Sequence, residues 1–178
     1  ITGKLEIMSK IVIDASGFQS IVARKAGLHN GFRRFGVGAE YDLYVPKYDQ
    51  DEIILAVGTK FAPVGYGWAF PHGNNRVRVG LGLIHPDVNM DPKDYLDIFI
   101  KYLSEFGISN SKQMEYHSGV IPSQGVIERT VTDGLIVKGD AAGHPLTLVG
   151  EGIRISMLVG RLAGKVASSA VLHNEGID

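Results

Sequence analysis

The sequence contains no cysteine, and this absence excludes disulfide bonds, thiolate nucleophiles and cysteine-ligated metal sites. It also lacks a surplus of charge, because 18 lysine and arginine residues face 19 aspartate and glutamate residues for a net charge of -1. A nucleic-acid-binding protein is therefore not indicated. No unbroken apolar run reaches the roughly 18 residues of a membrane span, and the run at 153–159 is interrupted by Arg154 and Ser156. An intracellular protein is the default expectation.

Glycine is in excess, with 23 residues among 178, which is about 13% against a usual value of about 7%. Hydrophobic residues make up 44% of the chain, which is enough to build a core and excludes intrinsic disorder. The chain begins at Ile1 rather than at a methionine, with no targeting segment ahead of it. We therefore expect a part of a larger, glycine-rich enzyme.

The two ends of the chain share one pattern, in which a strand is followed by a glycine turn and a helix. A buried, parallel-type strand at 10–14 precedes a short helix at 20–26 that Gly27 closes. A second strand at 135–139 precedes a long helix at about 151–172. Small residues in this helix predict close packing against a sheet; they are Gly160, Ala163, Gly164 and Ala167.

The middle of the chain is typical of antiparallel strands. Gly73-Asn74-Asn75 predicts a hairpin turn, and Pro63-Val64-Gly65 predicts a break between strands. Asp91 and Pro92 predict a helix start, and Gly107 predicts its end. We expect a meander of strands at 33–44, 52–61, 66–71 and 75–84, a helix whose apolar stripe is Tyr95, Ile98, Phe99, Tyr102, Leu103 and Phe106, and a last strand at 113–120.

These patterns together predict a mixed fold, α/β with an inserted antiparallel sheet (α+β). The expected domains are 1–31 with 123–178, of βα character, and 32–122, of antiparallel character. The histidines at 72, 117 and 144 show no metal-ligand spacing, so no metal site is expected.

The segment Gly139-Asp140-Ala141-Ala142-Gly143 carries the most chemical information, together with Gly150-Glu151-Gly152-Ile153. Asp140 lies at the carboxyl end of a predicted strand, where ligands bind in open α/β sheets, and its carboxylate can accept hydrogen bonds from a diol. The helix that begins near Gly152 directs its free N–H groups at the same cleft, which favours an anion. The alternative is a βα turn that uses glycine for geometry alone.

A strand of alternating aromatic residues is the second feature. Tyr66, Trp68 and Phe70 fall on one face, and Gly67 and Ala69 leave the other face nearly bare. The aromatic face suits a large apolar ligand, although such stripes also pack ordinary cores. Arg76 and Arg78 are expected on a solvated strand face, with a phosphate headgroup as a second possibility for them.

The segment from Gly139 to Ile153, continued by Gly160-Arg161-Leu162-Ala163, resembles the second flavin motif of FAD-dependent oxidoreductases of the para-hydroxybenzoate hydroxylase fold. The resemblance implies a Rossmann-like FAD domain in which Asp140 binds the ribityl chain and the following loop lies against the flavin ring. Pro145-Leu146-Thr147 stands two places earlier than is usual in that family. The implied cofactor-binding residues are Gly139, Asp140, Ala141, Gly150, Glu151, Gly152 and Ile153.

The segment from Ile11 to Ser20 resembles the middle motif of the same family, with Ser16 where that family has an aspartate. For Asp14 and Ser16 we therefore expect a local function, the bracing of the turn into the following helix. His144 lies in the flavin loop, where contact with the cofactor, proton donation and a loop-structuring function are all open. For Glu151 a helix-start function is open beside the implied contact with the cofactor.

The segment Tyr66-Gly67-Trp68-Ala69-Phe70-Pro71, followed after eight residues by Gly80-Leu81-Gly82, resembles the signature of geranylgeranyl reductases. This resemblance assigns the isoprenoid substrate to Tyr66, Trp68, Phe70, Pro71, Gly80 and Gly82, where the two glycines would keep a tunnel open. The glycine-rich loop that holds the ADP half of FAD in that family is missing, so we expect the C-terminal part of such a reductase.

The resemblance implies reduction of C=C bonds in a geranylgeranyl lipid, with FAD as cofactor and NAD(P)H or ferredoxin as electron donor. It implies a cytoplasmic protein, with peripheral membrane contact as an open alternative, and it names no catalytic side chain. Alternatives are a flavin monooxygenase, a quinone-linked electron-transfer dehydrogenase of the same fold, or a non-catalytic fragment.

Overall fold

The computed structural model describes residues 5–177, which divide into two compact units. One unit combines the residues up to Phe32 with those from Pro122 onward, and the other comprises Arg33–Ile121. The strands and helices are β1 (Val12–Asp14), α1 (Ile21–Lys25), β2 (Phe35–Tyr44), β3 (Ile54–Gly58), β4 (Ala62–Pro71), β5 (Arg76–His85), α2 (Pro92–Tyr102), β6 (Lys112–Pro122), β7 (Val131–Thr132), β8 (Leu135–Val137) and α3 (Ile153–His173). The predicted α+β class is confirmed.

The unit Arg33–Ile121 contains a five-stranded sheet in the order β3-β4-β5-β2-β6, in which β3 and β4, β4 and β5, and β2 and β5 pair antiparallel. The predicted hairpin turn at 73–75 is confirmed, because Gly73, Asn74 and Asn75 all have positive φ and the Arg76 N–H bonds to the Gly73 carbonyl at 2.9 Å. The predicted simple meander is wrong for β2. This strand pairs with β5 rather than with β3, so the chain crosses from one edge of the β3-β4-β5 hairpins to the other.

The predicted break at Pro63-Val64-Gly65 is wrong as well. These residues lie inside β4, and the turn falls instead at 59–61, where the Phe61 N–H bonds to the Gly58 carbonyl at 3.3 Å. Proline is tolerated here near the start of the strand. A register shift between Ala56 and Gly58 accompanies the turn.

Helix α2 covers one face of the sheet and forms the core of this unit. The Asp91 carboxylate accepts a hydrogen bond from the Lys93 N–H at 2.9 Å, which confirms the predicted N-cap. The apolar stripe is rotated from the predicted one, because Leu96 is fully buried whereas Ile98 and Tyr102 are exposed. The residues that form the core against the sheet are Leu96, Phe99 and Leu103 from the helical segment, with Val77, Val79, Leu81 and Leu83 from β5.

Gly67 and Ala69 leave their face of β4 short of side chains, as predicted, and helix α2 packs into the space. Ala69 is fully buried, and a Cβ placed on Gly67 would lie 2.7 Å from the ring of Phe99. Small residues are present because α2 packs closely against the strand at this point. This face is therefore the core side of the sheet.

The other unit contains a small sheet in the order β1-β8-β7, in which β1 and β8 are parallel as predicted. The predicted burial of the first strand is wrong, since Val12 and Ile13 are partly exposed and only Asp14 is buried. Along α3, Ala163 and Ala167 of the predicted small-residue stripe belong to or pack against the core cluster with Ile136 of β8, which confirms close packing for part of that stripe.

The turn after β1 is held by side chains. The Asp14 carboxylate accepts hydrogen bonds from the Ser16 N–H at 3.0 Å and the Ala23 N–H at 2.7 Å, and the Ser16 hydroxyl accepts one from the Ile21 N–H at 2.8 Å. Burial alone would raise the pKa of Asp14, but these hydrogen bonds outweigh it and lower that pKa below its usual value. The expected bracing function of Asp14 and Ser16 is confirmed.

Helix α3 has the length and composition of a membrane span, with 21 residues and a window of mean hydropathy 1.3. The expectation that no segment reaches this limit is therefore wrong, because it counted only unbroken apolar runs. Only 11% of that window is buried, and the exposed apolar side chains of the helix include Ile153, Met157, Leu158 and Leu162. Length and composition alone are weak evidence for a membrane helix.

Candidate functional site

The aromatic residues of β4 lie together on the sheet face opposite α2. The rings of Tyr66 and Trp68 are 5.7 Å apart between centroids, and those of Trp68 and Phe70 are 6.2 Å apart and stacked. This confirms the predicted shared face. Because α2 builds the core on the other side, the aromatic stripe is not the packing of an ordinary core. Pro71 ends the strand beside this stripe.

The two glycines of β5 lie directly opposite the aromatic residues. Gly80 is the cross-strand partner of Trp68, and Gly82 is the partner of Tyr66. The expectation that Gly80 leaves open space is wrong, because the indole fills it: a Cβ there would lie 2.5 Å from Trp68 Cζ2. Gly82 does leave space, and so does its β2 partner Gly38. A strip of backbone without side chains therefore runs beside Tyr66.

The apolar surface extends beyond the predicted site residues onto the edge strand β3. Leu55 pairs with Trp68 across the strands, so both side chains project from the same face. Ile53, Leu55 and Val57 are 64%, 66% and 83% exposed. Residues 53–57 form a continuous apolar run, which indicates a strand but does not show which of its side chains are exposed. The face therefore carries exposed aliphatic side chains beside the aromatic stripe.

The half of the same face that β2, β5 and β6 form is charged. Arg76 donates hydrogen bonds to the buried Asp42, with Nε 2.9 Å from Oδ1, and also to Glu115. The hydrogen bond to Asp42 is the main cause that raises the pKa of Arg76. Arg78 Nε lies 3.8 Å from Glu40 and from Asp42. Both arginines thus form ion pairs with carboxylates of the sheet. This disfavours the binding of a phosphate headgroup by these arginines.

The flavin-like loop of the other unit brings Asp140 and Gly152 close together in space. A short 3-10 helix, Gly139–Ala142, follows β8, and a Cβ on Gly152 would lie 3.6 Å from Asp140 Oδ1. Burial is the cause that raises the pKa of Asp140, and within residues 5–177 no hydrogen-bond donor offsets it. The carboxylate beside the N-terminus of α3 is therefore half-buried and ready to accept hydrogen bonds from a ligand.

Three other residues of this loop have structural functions. The His144 ring accepts a hydrogen bond from the Gly139 N–H at 3.1 Å, and burial, followed by the charge of Lys138, lowers its pKa. Glu151 caps α3, because its carboxylate accepts a hydrogen bond from the Arg154 N–H at 2.8 Å. Ala141 is fully buried in the core with Val137. The loop-structuring function is thus the one observed for His144.

Comparison with known proteins connects this geometry to a family. Residues 35–121, which carry the whole sheet face, match the model of the geranylgeranyl reductase catalytic domain. The chain is similar to members of the geranylgeranyl reductase family. It is 39% identical over 172 residues to digeranylgeranylglycerophospholipid reductase 2 of Methanothermobacter thermautotrophicus, covering 95% of this chain and 43% of that protein.

Two further proteins are similar to the chain. The digeranylgeranylglycerophospholipid reductase of Methanocaldococcus jannaschii is 38% identical over 173 residues, covering 95% of this chain and 44% of that protein. A crystal structure of a geranylgeranyl bacteriochlorophyll reductase-like protein from Thermoplasma acidophilum matches with a TM-score of 0.85 and 28% identity, over 94% of this chain and 43% of that one. The chain thus spans less than half the length of the geranylgeranyl reductases it matches.

Proposed function

We propose that this chain contributes the isoprenoid-binding face and part of the flavin site of a FAD-dependent reductase that saturates C=C bonds of geranylgeranyl lipids. The observation that carries the proposal is the position of the exposed apolar sheet face inside residues 35–121, the part that matches the catalytic domain of geranylgeranyl reductases. Relatives named as reductases of digeranylgeranylglycerophospholipids support the same substrate class. The similarity to this family favours reduction over the monooxygenase and electron-transfer alternatives.

The composition of the face suits an isoprenoid chain. Such a chain offers branched apolar surface and no hydrogen-bonding groups along its length, so burial of apolar area supplies its binding energy. Leu55 and Val57 provide aliphatic contact area, and Trp68 and Phe70 provide broad aromatic surface. The glycine strip at Gly82 allows the chain to approach the backbone closely.

The residues near α3 fit a flavin. A ribityl chain carries hydroxyl donors, and the half-buried Asp140 carboxylate has acceptor capacity that no donor within residues 5–177 uses. Gly152 is the N-cap of α3 and Ile153 is its first residue, where backbone N–H groups are available to an electronegative ring edge. The Gly150 N–H bonds to the Leu146 carbonyl at 2.8 Å, so Gly150 would contribute through its positive φ of 64°. When bound, a reduced flavin supplies the hydride for the alkene, and a proton completes the saturation.

The electron donor and the location of the enzyme complete the proposal. NAD(P)H or ferredoxin is the donor class that the family resemblance implies, and a cytoplasmic enzyme with peripheral access to membrane lipid would meet its substrate at the bilayer surface. The exposed apolar side chains of the sheet face support access to a lipid.

The lipid-binding part is tested by placing a charge in the apolar half of the face. We expect Leu55→Lys to weaken geranylgeraniol binding by about tenfold or more, because a buried ammonium must be desolvated. Binding is measured by the fluorescence change of Trp68, the single tryptophan of the chain. Leu172→Lys, at an exposed leucine of α3, is the control and should bind normally. Equal affinities for both variants would contradict the assignment of this face.

The flavin-binding part is tested with riboflavin, which carries the ring and the ribityl chain without the adenine nucleotide. We expect Asp140→Ala to weaken riboflavin binding by about tenfold or more, because hydrogen bonds to a charged acceptor are lost. Quenching of flavin fluorescence measures the affinity. Asp133→Ala, at an exposed aspartate of the same unit, should leave it unchanged. An unchanged affinity in Asp140→Ala would remove Asp140 from the site.

A further inference from the structure

A single row of residues crosses four strands of the exposed sheet face. Leu55 of β3 pairs with Trp68, Trp68 with Gly80, and Gly80 with Glu40 of β2. The Trp68 indole Nε1–H donates a hydrogen bond to Glu40 Oε2 at 2.9 Å. This bond connects β4 to β2 over the intervening strand, and it lies where the apolar half of the face meets the charged half.

The absence of a side chain at position 80 makes this hydrogen bond geometrically feasible. Two strands separated by a third are about 9.6 Å apart, so a tryptophan and a glutamate must extend toward each other to meet. A Cβ on Gly80 would lie 2.5 Å from Trp68 Cζ2 and 2.8 Å from the Ala39 carbonyl. The indole therefore lies against the Gly80 backbone, with its N–H aimed at Glu40.

The second oxygen of Glu40 is held from the other side. His117 Nδ1 lies 3.4 Å from Glu40 Oε1, and Arg78 Nε lies 3.8 Å from the same oxygen. The other ring nitrogen of His117 is 3.1 Å from Glu115. The side chain of Glu40 is only 19% exposed, which limits its freedom to leave this arrangement. The carboxylate is thus a fixed acceptor rather than a mobile surface charge.

We propose that Glu40 is a positioning residue for isoprenoid binding. Its carboxylate holds the Trp68 indole in place across Gly80, where the apolar half of the sheet face meets the charged half. This inference rests on the proposed function. Fixing the indole before the lipid arrives lowers the entropy cost of binding, since the ring need not be ordered by the ligand. A freed indole would lose its contacts with the Gly80 backbone and disorder the apolar floor beside Leu55.

The first measurement follows the indole directly and needs no lipid. The single tryptophan gives one indole N–H resonance in a proton–nitrogen correlation spectrum. We expect Glu40→Ala to move this resonance upfield and to speed its exchange with solvent, because the hydrogen bond is lost. Glu40→Gln keeps an acceptor oxygen and should preserve most of the resonance position. Glu105→Gln, a change at an exposed carboxylate of the same unit that does not contact Glu40, His117 or Trp68, is the control.

The second measurement is a double-mutant cycle on geranylgeraniol affinity, measured by isothermal titration calorimetry because Trp68→Phe removes the single tryptophan. Glu40→Ala should weaken binding by about three- to tenfold in the unchanged chain, and by no more than about twofold in a Trp68→Phe background, where the donor is absent. An equal loss in both backgrounds, or no loss in the unchanged chain, would overturn the proposal. Failure of the unchanged chain to bind the lipid at all would instead overturn the proposed function, and the inference with it.

Discussion

Gly65→Ala is expected to destabilise the unit Arg33–Ile121 by about 3 to 5 kcal/mol, at the upper end of single-substitution effects. A Cβ at this position would lie 1.9 Å from the Gly82 carbonyl oxygen, 2.9 Å from its carbon and 3.3 Å from Leu83 Cα. All three atoms are backbone, so no side-chain rotation relieves the overlap. The pairing of β4 with β5 must open where Gly65 faces Leu83.

Urea unfolding followed by the fluorescence of Trp68 measures this loss. Gly119→Ala is the matched control, because Gly119 lies in β6 of the same sheet and a Cβ there would meet nothing within 4 Å. The control should unfold within about 0.5 kcal/mol of the unchanged chain. Similar midpoints for the two variants would show that β4 and β5 are further apart than the structure has them.

Elements whose signals lie within a few neighbouring residues could be predicted from the sequence. The Asp91-Pro92 helix start and the Gly73-Asn74-Asn75 turn depend on local backbone chemistry, and both are present. The pairing of β2 with β5 joins two strands that are distant in the sequence, and no pattern of neighbouring residues predicts it. The predicted stripe of α2 included Ile98 and Tyr102 and omitted Leu96, because helical spacing alone does not show which side of a broad apolar arc faces the sheet.

The candidate site likewise has features that the local sequence predicts and features that depend on distant residues. The shared face of Tyr66, Trp68 and Phe70 follows from the period-two alternation of one strand, and it is confirmed. The partners of Trp68 across the sheet could not be found, because Glu40 is 28 positions away along the chain. His117 is 77 positions from Glu40, and only the sheet order brings them together.

The sheet face and the flavin loop differ in how their backbone is constrained. On the sheet, Gly65 and Gly80 lie in strands, and glycine is required there only because a Cβ would overlap neighbouring atoms. In the flavin loop, Gly139 and Gly143 both have positive φ, of 64° and 73°, so conformation requires glycine as well. The glycine excess of the sequence therefore reflects two separate physical demands. Position 143 combines them, since it is both left-handed and crowded.

Gly143→Ala is expected to destabilise its unit by about 4 kcal/mol or more, and to weaken riboflavin binding by displacing Asp140. A Cβ there would lie 2.2 Å from the Gly125 carbonyl oxygen and 3.0 Å from its carbon. The segment cannot simply retreat, because the Ile127 N–H donates a hydrogen bond to the Ala142 carbonyl at 3.0 Å. The Gly143 N–H in turn bonds to the Asp140 carbonyl at 3.0 Å, which transmits any shift to the carboxylate.

Gly27→Ala separates the two demands, because Gly27 has the same φ of 73° in the same unit and a Cβ there would meet nothing within 4 Å. The free energy of unfolding of that variant should fall by only about 1–2 kcal/mol, the cost of alanine in a left-handed conformation, and its riboflavin affinity should be unchanged. The excess loss in Gly143→Ala is then the cost of the overlap with Gly125. If the two variants unfold at the same urea concentration, the flavin loop does not depend on that close approach, and Asp140 must be positioned by the neighbouring contacts of Gly139 and Gly152 alone.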